Sequence, residues 1–411
     1  ERHRCEEEVK RLVALQDLPH SQNIIQYYAH EESVDCFYVA MELADGGTLR
    51  DLAAREALGP WRQRKHFCRQ LCNGLLALHN QASIVHRDLK PENVLFVSTK
   101  RGRGESVAKE TFYPFTLKIA DFGLSRSINA SQSKFVSSAG AGTETWIPPE
   151  GLVKVGTLGP ASSSPSPCQA TTTTYTFLYD LHPCGSLMYF ILSGGNHAYG
   201  GDSLTQIQMN LEKGIHKRAL KYHCPTVAVD AAVSSGKSTV ALPTKESGKS
   251  RWEQTIAMHL IDKMLQKDPA HRPSPAPGVD KSLCMQVVLQ HPFFMTATEK
   301  LADIARGKDT NWTRLRKKTF KHRSGADFDW RKIAKLKTIQ QNVERGGQHY
   351  GKDFAELARL VRNARVHLQE NPALQEVFGV HDRDDAVATD EKVEHYFAMA
   401  MPAMFLHLIQ W

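Results

Sequence analysis

The sequence contains HRDLKPEN at positions 86–93 and the tripeptide DFG at positions 121–123, and the side chains of these two motifs could together do chemistry. Phosphoryl transfer needs a carboxylate that orients the attacking hydroxyl, a cation near the transferred phosphate and oxygen ligands for magnesium. The residues that supply these groups, in chain order, are Asp88, Lys90, Asn93 and Asp121. Because these identities at this spacing essentially never occur by chance, the sequence predicts that the first two are catalytic and the last two bind Mg²⁺.

A second candidate centre lies near the C-terminal end, where apolar residues repeat at helical spacing. The pattern predicts an amphipathic helix from Asp353 to Leu368. Asn363 and His367, which are four positions apart, fall about 40° from each other around such a helix. A glycine-containing loop at 346–351 precedes the helix and could bring Tyr350 close to it. Alone, a helix of this composition is more often an ordinary solvated helix than a catalytic one.

These residue types suit the cleavage of RNA by its own 2′-hydroxyl. That reaction needs a proton removed from the hydroxyl, a proton given to the departing 5′ oxygen, and cations on the phosphate. Histidine, with an ordinary pKa of about 6.5, exchanges protons at neutral pH, whereas tyrosine near 10 is about a thousandfold less ionised. We therefore assign the general acid to His367, with Tyr350 positioning the 2′-hydroxyl or assisting as base and Arg362 and Asn363 holding phosphate. The sequence has no metal-ligand cluster there, so we expect a metal-independent mechanism and 2′,3′-cyclic phosphate ends.

Charge is distributed unevenly along the chain. Lys and Arg number 52 against 44 Asp and Glu, a formal excess of +8. Residues 300–365 hold 18 basic and 7 acidic side chains, a net of +11, whereas residues 366–411 hold 2 basic and 8 acidic ones, a net of −6. The basic stretch, with Trp312 and Phe320 among its charges, is typical of a surface that binds a polyanion. A solvated helix face is the alternative.

Length and composition exclude several classes of protein. A chain of 411 residues predicts two or three folded domains. The eight cysteines include no CxxC pair, which argues against a zinc ribbon or a disulfide framework and favours a reducing compartment. No run approaches the 18 to 20 apolar residues of a membrane span, so we expect no membrane contact within this chain. The charged start at Glu1 predicts no signal peptide.

Local patterns predict the elements that must position both centres. The predicted helices are Glu6–Leu15 and Pro60–Asn80, and the predicted strands are Ile24–Tyr28 and Cys36–Leu43. Cys68 and Cys72 share the second helix, and we interpret them as core thiols. The stretches 156–176 and 225–250 are rich in Ser, Thr, Pro and Gly, and we expect both to be disordered surface insertions.

With TETWIPPE at positions 143–150, the first set of motifs resembles the eukaryotic protein kinase family over residues 1 to about 297. The resemblance implies an α+β protein kinase fold, ATP or ADP as a partner, and ATP and Mg²⁺ as cofactors. It implies further roles by position: Glu8 as the helix-C glutamate, Met41 as the gatekeeper, Glu42 to Ala44 as the hinge that takes adenine, Asp180 as the helix-F aspartate, and Glu150 with Arg272 as a structural ion pair.

The sequence departs from that family at its start. No glycine-rich loop and no strand-three lysine precede Glu8. We therefore expect a small lobe that is truncated at its N-terminus, with residues 1–44 as the remnant and residues 45–297 as the large lobe.

Residues 298–411 resemble the kinase-extension ribonuclease domain of the inositol-requiring kinase/endoribonucleases of the unfolded protein response. The motifs that carry this resemblance are the FDW tripeptide at 328–330, the glycine pair at 346–347, and the catalytic quartet Tyr350, Arg362, Asn363 and His367. The resemblance implies an all-α domain, no cofactor for RNA cleavage, a stem-loop RNA substrate, and activation by nucleotide, autophosphorylation and assembly into a homodimer or higher oligomer.

It also implies the cytosolic face of the endoplasmic reticulum membrane as the location, through a span absent from this chain. Candidate phosphorylation sites are Ser131, Ser133, Ser137 and Ser138.

Two alternatives to a kinase joined to a ribonuclease stay open. The chain is a kinase-like scaffold whose basic tail binds RNA or a partner, or it is a plain Ser/Thr kinase with such a tail.

Overall fold

The chain folds into two compact units. The computed structural model describes residues 2–16, 18, 21–33, 36–98, 115–128, 135–138, 145–152, 172–201, 203–217, 220, 246–306, 320–321, 327–343, 350–351, 353–381 and 384–401. The first unit comprises Glu1–Val233 and Met258–Leu289, and the second comprises Ser234–Ala257 and Gln290–Trp411. Within the described ranges, no helix is both long and apolar enough to cross a membrane.

The first unit begins with a helix and a strand pair. These elements are α1 (Arg2–Gln16), β1 (Tyr27–Glu32) and β2 (Phe37–Met41), with the two strands antiparallel. The strand predicted at 24–28 is wrong at its start. Ile24 and Ile25 are buried core residues, and Ile24 forms an isolated parallel bridge to Ile119. The strand forms after them, mostly from solvent-facing residues, which an apolar pattern could not indicate.

A three-stranded antiparallel sheet packs against a long helix. The elements are β3 (Gly47–Thr48), α2 (Leu49–Ala54), α3 (Trp61–Leu76), β4 (Ile84–Val85), β5 (Val94–Ser98), β6 (Phe115–Ile119) and β7 (Arg126–Ser127). β5 lies between β3 and β6, and β4 pairs with β7. The long helix predicted from Pro60 is confirmed as α3, which continues into a π turn at Ala77–Gln81. Gly74 allows close approach, because a Cβ there would lie 2.9 Å from the carbonyl oxygen of Asn23.

The rest of the first unit is mainly helical, and it includes the part of α6 from Met258 onward. The elements are β8 (Phe135–Ser138), β9 (Thr172–Tyr175), α4 (Leu178–Ser193), α5 (Leu204–Lys213), α6 (Glu246–Met264) and α7 (Cys284–Leu289). Every residue of α4 is buried, so it forms the centre of this unit. Cys68 and Cys72 are also fully buried, in agreement with their interpretation as core thiols.

The structure differs from the predicted disordered insertions at their C-terminal ends. Residues 172–175 form β9, which pairs with β8 and places the fully buried Tyr175 in the core. Residues 246–250 form the first turn of α6, and Trp252, which follows them on the same helix, is buried. In both places, ordered structure begins before the composition changes. The remaining insertion residues, 156–171 and 225–245, lie outside the described residues.

Helices dominate the second unit. Its elements after α6 are α8 (Ala297–Arg306), β10 (Phe320–Lys321), β11 (Asp327–Phe328), α9 (Ala334–Val343), α10 (Phe354–Val366), α11 (Pro372–Phe378) and α12 (Ala386–Ala400). The expectation of an all-α domain is wrong in one detail, since β10 and β11 pair antiparallel. Two-residue strands are too short for a period-two pattern to reveal.

Side-chain caps fix where the helices of the second unit begin. The carboxylates of Asp353 and Asp385 and the amide oxygen of Asn371 each accept a hydrogen bond from a backbone N–H in the first turn of α10, α12 and α11, respectively. Each such cap contributes about 1 kcal/mol. The cap at Asp353 sets the first turn of α10, the helix that carries the second candidate centre.

Candidate functional site

A buried carboxylate on α4 anchors the first candidate centre. Asp180 accepts hydrogen bonds from the backbone N–H groups of His86 at 2.7 Å and Arg87 at 3.0 Å, and from Nε2 of His79 at 2.9 Å. Burial raises the pKa of the Asp180 carboxyl, but the hydrogen bond and charge of His79 outweigh it, and the net pKa is lowered. Arg87 has a φ of 71°, so Asp180 holds a strained backbone in place.

Two of the predicted kinase residues, Lys90 and Asn93, contact a third, Asp88. Nζ of Lys90 lies 2.6 Å from Oδ2 of Asp88. Nδ2 of Asn93 donates to the backbone oxygen of Asp88 at 2.8 Å and to its Oδ2 at 3.1 Å. The carboxylate of Asp88 is therefore fixed by a cation and an amide, and the side-chain oxygen of Asn93 is the atom suited to a metal.

Asp121 is held beside this cluster by its neighbours. The backbone N–H of Ala120 donates to the carbonyl oxygen of Asn93 at 3.0 Å, and Nε2 of His86 donates to the carbonyl oxygen of Ala120 at 3.0 Å. Asp121 is exposed, and its φ is 65°. One carboxylate and one amide oxygen on adjoining segments fit Mg²⁺, which prefers oxygen ligands.

Glu8 on α1 faces the DFG motif. Its carboxylate accepts a hydrogen bond from the backbone of Phe122, and an added Cβ at Gly123 would lie 3.4 Å from its Oε2. Burial raises the pKa of Glu8, and the nearby charge of Asp121 raises it further. Glu8 therefore lies close to Asp121, one of the two residues predicted to bind Mg²⁺.

The predicted adenine-binding segment follows β2. Met41 ends that strand with 44% of its surface exposed, and the carbonyl oxygen of Ala44 accepts a hydrogen bond from Gly47. Oε2 of Glu42 lies 2.8 Å from Nζ of Lys118. This lysine was not predicted, because an alternating strand pattern does not indicate a partner on another strand.

The second candidate centre joins a loop to α10. Nδ2 of Asn363 donates to the hydroxyl of Tyr350 at 3.0 Å. Nε and Nη2 of Arg362 donate to Oδ1 of the same asparagine at 3.2 and 2.9 Å. Tyr350 is only 4% exposed. Three of the four residues predicted for RNA cleavage are therefore connected by side-chain hydrogen bonds.

His367 lies at the C-terminal end of α10, just after its last helical residue. Its backbone N–H donates to the carbonyl oxygen of Asn363 at 2.9 Å, so it follows that residue by one helical turn. The residue is half-buried. The predicted helix is confirmed, but it ends at Val366 instead of Leu368. This position at a helix end leaves the imidazole partly open to solvent.

The backbone of Tyr350 is fastened by a preceding turn. Nη1 of Arg331 donates to the carbonyl oxygen of Tyr350 at 3.2 Å, and Nη2 of Arg331 lies 2.6 Å from Oδ2 of Asp329. The hydrogen bond from Arg331 lowers the pKa of Asp329. Nε1 of the fully buried Trp330 donates to the carbonyl oxygen of Asp353, the cap of α10. This turn therefore sets the position of both the tyrosine and the helix.

Two further residues at this centre were not predicted from the sequence. The guanidinium carbon of Arg359 lies 4.6 Å from the centroid of the Tyr350 ring. Glu356 forms an ion pair with Arg359 at 2.7 Å. At about 100° per residue Arg359 falls on the polar side of α10, but this spacing does not show that a tyrosine ring covers it.

Comparison with known proteins extends the two resemblances. The protein kinase domain model matches residues 1–294. The chain is 25% identical over 398 residues to the serine/threonine-protein kinase/endoribonuclease ire-1 of Caenorhabditis elegans, which covers 94% of this chain and 33% of that protein. It is 24% identical over 401 residues to the serine/threonine-protein kinase/endoribonuclease IRE2 of Homo sapiens, covering 96% and 35%.

A third relative matches less of the chain. Calcium-dependent protein kinase 6 of Plasmodium berghei is 28% identical over 272 residues, which is 66% of this chain and 13% of that protein. The chain spans about one third of the length of the two kinase/endoribonucleases. The matches to those two proteins cover 94% and 96% of the chain, and therefore include the second candidate centre.

Proposed function

We propose that this chain, which belongs to the protein kinase family, is a Ser/Thr protein kinase joined to a metal-independent endoribonuclease. The ribonuclease would occupy residues 298–411. The observation that carries the proposal is the hydrogen-bonded set of Tyr350, Asn363 and Arg362, with His367 one helical turn beyond it. Similarity to two kinase/endoribonucleases over more than nine-tenths of the chain supports it.

The kinase half of the proposal assigns each polar group of the first centre a role. Asp88, held by Lys90 and Asn93, orients the substrate hydroxyl and accepts its hydrogen bond. Lys90 places positive charge near the transferred phosphate. Asn93 and Asp121 would hold Mg²⁺, which neutralises charge on the phosphates of ATP. The segment from Glu42 to Ala44 would receive adenine.

In the ribonuclease half, the RNA supplies its own nucleophile. The 2′-oxygen attacks the adjacent phosphorus, the bond to the 5′ oxygen breaks, and a 2′,3′-cyclic phosphate forms. His367, in its protonated form, gives a proton to the departing 5′ oxygen. Tyr350 either takes the proton of the 2′-hydroxyl as its base or positions that hydroxyl while the proton passes to solvent water, and Arg362 and Asn363 stabilise the charge on the phosphate. Each role belongs to the chain's own side chains, so no metal is required.

The proposed setting follows from the relatives. One, from Schizosaccharomyces pombe, is described as a sensor for unfolded proteins in the ER and matches 97% of this chain. We therefore propose action in the unfolded protein response, at the cytosolic face of the endoplasmic reticulum membrane, with a stem-loop RNA as substrate. ATP or ADP binding, autophosphorylation and assembly into a homodimer or higher oligomer would activate cleavage.

The candidate phosphorylation sites for this activation fall in two places. Ser137 and Ser138 belong to β8. Ser131 and Ser133 lie outside the described residues.

The test is to incubate the full chain with ATP and Mg²⁺ first, and then to add a stem-loop RNA together with excess EDTA, so that activation precedes the removal of the metal. We expect defined cuts with cyclic phosphate termini, which disappear in His367→Ala. His381→Ala, which removes an exposed histidine elsewhere in the same unit, serves as the matched control and keeps cleavage. Equal cutting by His367→Ala would contradict the assignment of the general acid. RNA binding without any cleavage would support the scaffold alternative.

A further inference from the structure

The ring of Tyr350 is held on its face as well as at its hydroxyl. The guanidinium carbon of Arg359 lies 4.6 Å from the ring centroid, within the distance at which a cation is attracted to an aromatic face. Because Tyr350 is 4% exposed, this attraction acts with little competition from water. Arg359 itself comes from α10, three residues before Arg362.

Arg359 is in turn fixed by a carboxylate. Nη2 of Arg359 lies 2.7 Å from Oε2 of Glu356, and the two residues are three positions apart on α10. The same carboxylate oxygen accepts a hydrogen bond from the backbone N–H of Gly351 at 3.1 Å. Glu356 therefore connects the residue that follows Tyr350 in the chain to the cation that lies over its ring.

The hydrogen bonds of Tyr350 leave one motion to be restrained. Arg331 holds its backbone oxygen, and Asn363 holds its hydroxyl. Neither bond fixes the plane of the ring, because rotation about the Cβ–Cγ bond leaves the backbone and the hydroxyl oxygen in place. The phenolic O–H lies in the ring plane, so this rotation changes the direction in which the hydroxyl donates. Two neighbours contact the ring itself. The centroid of the Trp330 ring lies 6.5 Å away at an interplanar angle of 64°, and the guanidinium of Arg359 over one face favours a single plane by its charge.

We propose that Arg359, held by Glu356, is a positioning residue that sets the ring plane of Tyr350 and so aims its hydroxyl at the reacting 2′-hydroxyl. This inference rests on the proposed ribonuclease function. Arg359 acts through Tyr350 and does not touch the RNA. It should therefore affect the rate of cleavage and not the binding of substrate, since misplacing a reacting group by about 1 Å can cost a hundredfold in rate.

The experiment measures kcat and KM for a stem-loop RNA with the full chain and its variants. Arg359→Met removes the charge and keeps the length of the side chain. We expect kcat to fall about tenfold or more, with KM unchanged to within about twofold. Arg359→Lys keeps a cation over the ring and should recover part of kcat. In a Tyr350→Phe background, Arg359→Met should cause no further loss, because the hydroxyl through which it acts is already gone.

Lys392→Met is the matched control. Lys392 lies on α12, outside the basic stretch, and forms an ion pair with Asp384 at 2.6 Å, but it belongs to neither the cation over the ring nor the hydrogen-bonded set. Its substitution removes a comparable ion pair and should leave kcat unchanged. Thermal unfolding of each variant shows whether lost activity reflects lost folding, and the lysine variant keeps the test valid if Arg359→Met folds poorly.

Three results would overturn the inference while leaving the proposed function intact. One is an unchanged kcat in Arg359→Met. Another is a raised KM with an unchanged kcat, which would indicate that Arg359 binds RNA directly. The third is a full further loss when Arg359→Met is combined with Tyr350→Phe. A wild-type chain that cleaves no RNA would instead overturn the proposed function, and this inference with it.

Discussion

Arg272 donates hydrogen bonds to both carboxylate oxygens of Glu150, at 2.6 and 2.7 Å, although the two residues are 122 positions apart in the sequence. The guanidinium is completely buried, and the carboxylate is 20% exposed. Arg272 also donates to the carbonyl oxygens of Leu178 and Gln266. This pair therefore joins three segments of the first unit: the turn at Glu150, the start of α4 and the loop after α6.

Removing the carboxylate should destabilise the first unit strongly. Glu150→Gln leaves a buried guanidinium without its charged partner, and breaking such a pair costs about 3 kcal/mol or more. The measurement is urea unfolding of the full chain. Glu92→Gln is the control. The side chains of Glu92 and its partner Arg50 are 42% and 50% exposed, so this ion pair should contribute less than about 1 kcal/mol. Equal losses in the two variants would contradict the structural role of Glu150.

The residues of the two centres that could be predicted lie close to one another in the sequence, whereas the contacts that could not be predicted depend on side-chain orientation. Asp88, Lys90 and Asn93 could be found from the sequence because they lie within six residues and interact through one turn. Tyr350 could be placed near α10, since a short glycine-containing loop separates them. The stacking of Arg359 on that ring depends on the ring's orientation, which no periodicity encodes.

The same distinction explains the errors in the fold. The helix α3 was predicted well because its apolar residues repeat over four turns. Neither β9 nor the pair β10–β11 was predicted, because each is four residues long or shorter and depends on a partner elsewhere in the chain. Tyr175, fully buried at the end of a threonine-rich run, shows that composition alone cannot mark the end of an insertion.

The stability of the first unit should fall in acid through its buried histidines. Burial lowers the pKa of His197 to about 4, outweighing the hydrogen bond to Thr145 that raises it. Burial also lowers the pKa of His182. An unfolded histidine titrates near 6.5, so between about pH 6.5 and 4 the unfolded chain binds a proton that the folded chain does not. Each neutral buried histidine makes its full contribution to the unfolding free energy above about pH 6.5. As the pH falls below this value, the unfolding free energy decreases by about 1.4 kcal/mol per pH unit for each such group.

His197→Gln tests this pH dependence. It keeps a donor for the carbonyl oxygen of Thr145 but removes the titration. We expect the difference in unfolding free energy between about pH 7 and pH 5 to shrink by about 2 kcal/mol. His271→Gln, at a position that is 72% exposed, should leave the difference unchanged. A variant at position 197 that matches the wild type at both pH values would show that another group controls the acid response.

In a buried ion pair of the second unit, removing one partner should lower the unfolding free energy, whereas removing both partners should not. Lys300 and Glu394 are 3% and 10% exposed and contact each other, and Nζ of Lys300 also lies 5.3 Å from the centroid of the Trp252 ring. Glu394→Leu alone leaves the ammonium without this carboxylate and should cost about 3 kcal/mol or more.

Combining Glu394→Leu with Lys300→Met removes both charges and should restore stability to within about 1 kcal/mol of the wild type. Thermal and urea unfolding of the two single variants and the double variant form the cycle that measures this coupling. If the double variant were as unstable as the sum of the single ones, the pair would not be the source of the cost.

RNA binding should weaken with salt in proportion to the basic charges that contact phosphate. Each contact with single-stranded nucleic acid contributes about −0.7 to the slope of log K against log salt concentration. The basic stretch contains Arg314, Arg316, Lys317 and Lys318 within five consecutive positions of the sequence. Changing all four to Gln should reduce the slope by about 3 if they all contact phosphate. The measurement is fluorescence anisotropy with a labelled stem-loop RNA between about 50 and 200 mM salt.

The matched control changes four exposed basic residues of the first unit by the same amount of charge. These residues are Arg55, Arg62, Lys213 and Lys281. Because net charge alone attracts RNA only weakly at these salt concentrations, the control should leave the slope nearly unchanged. Equal reductions in both variants would show that the total charge of +8 governs binding. A reduction confined to the first variant would locate the RNA contact at positions 314–318 of the basic stretch.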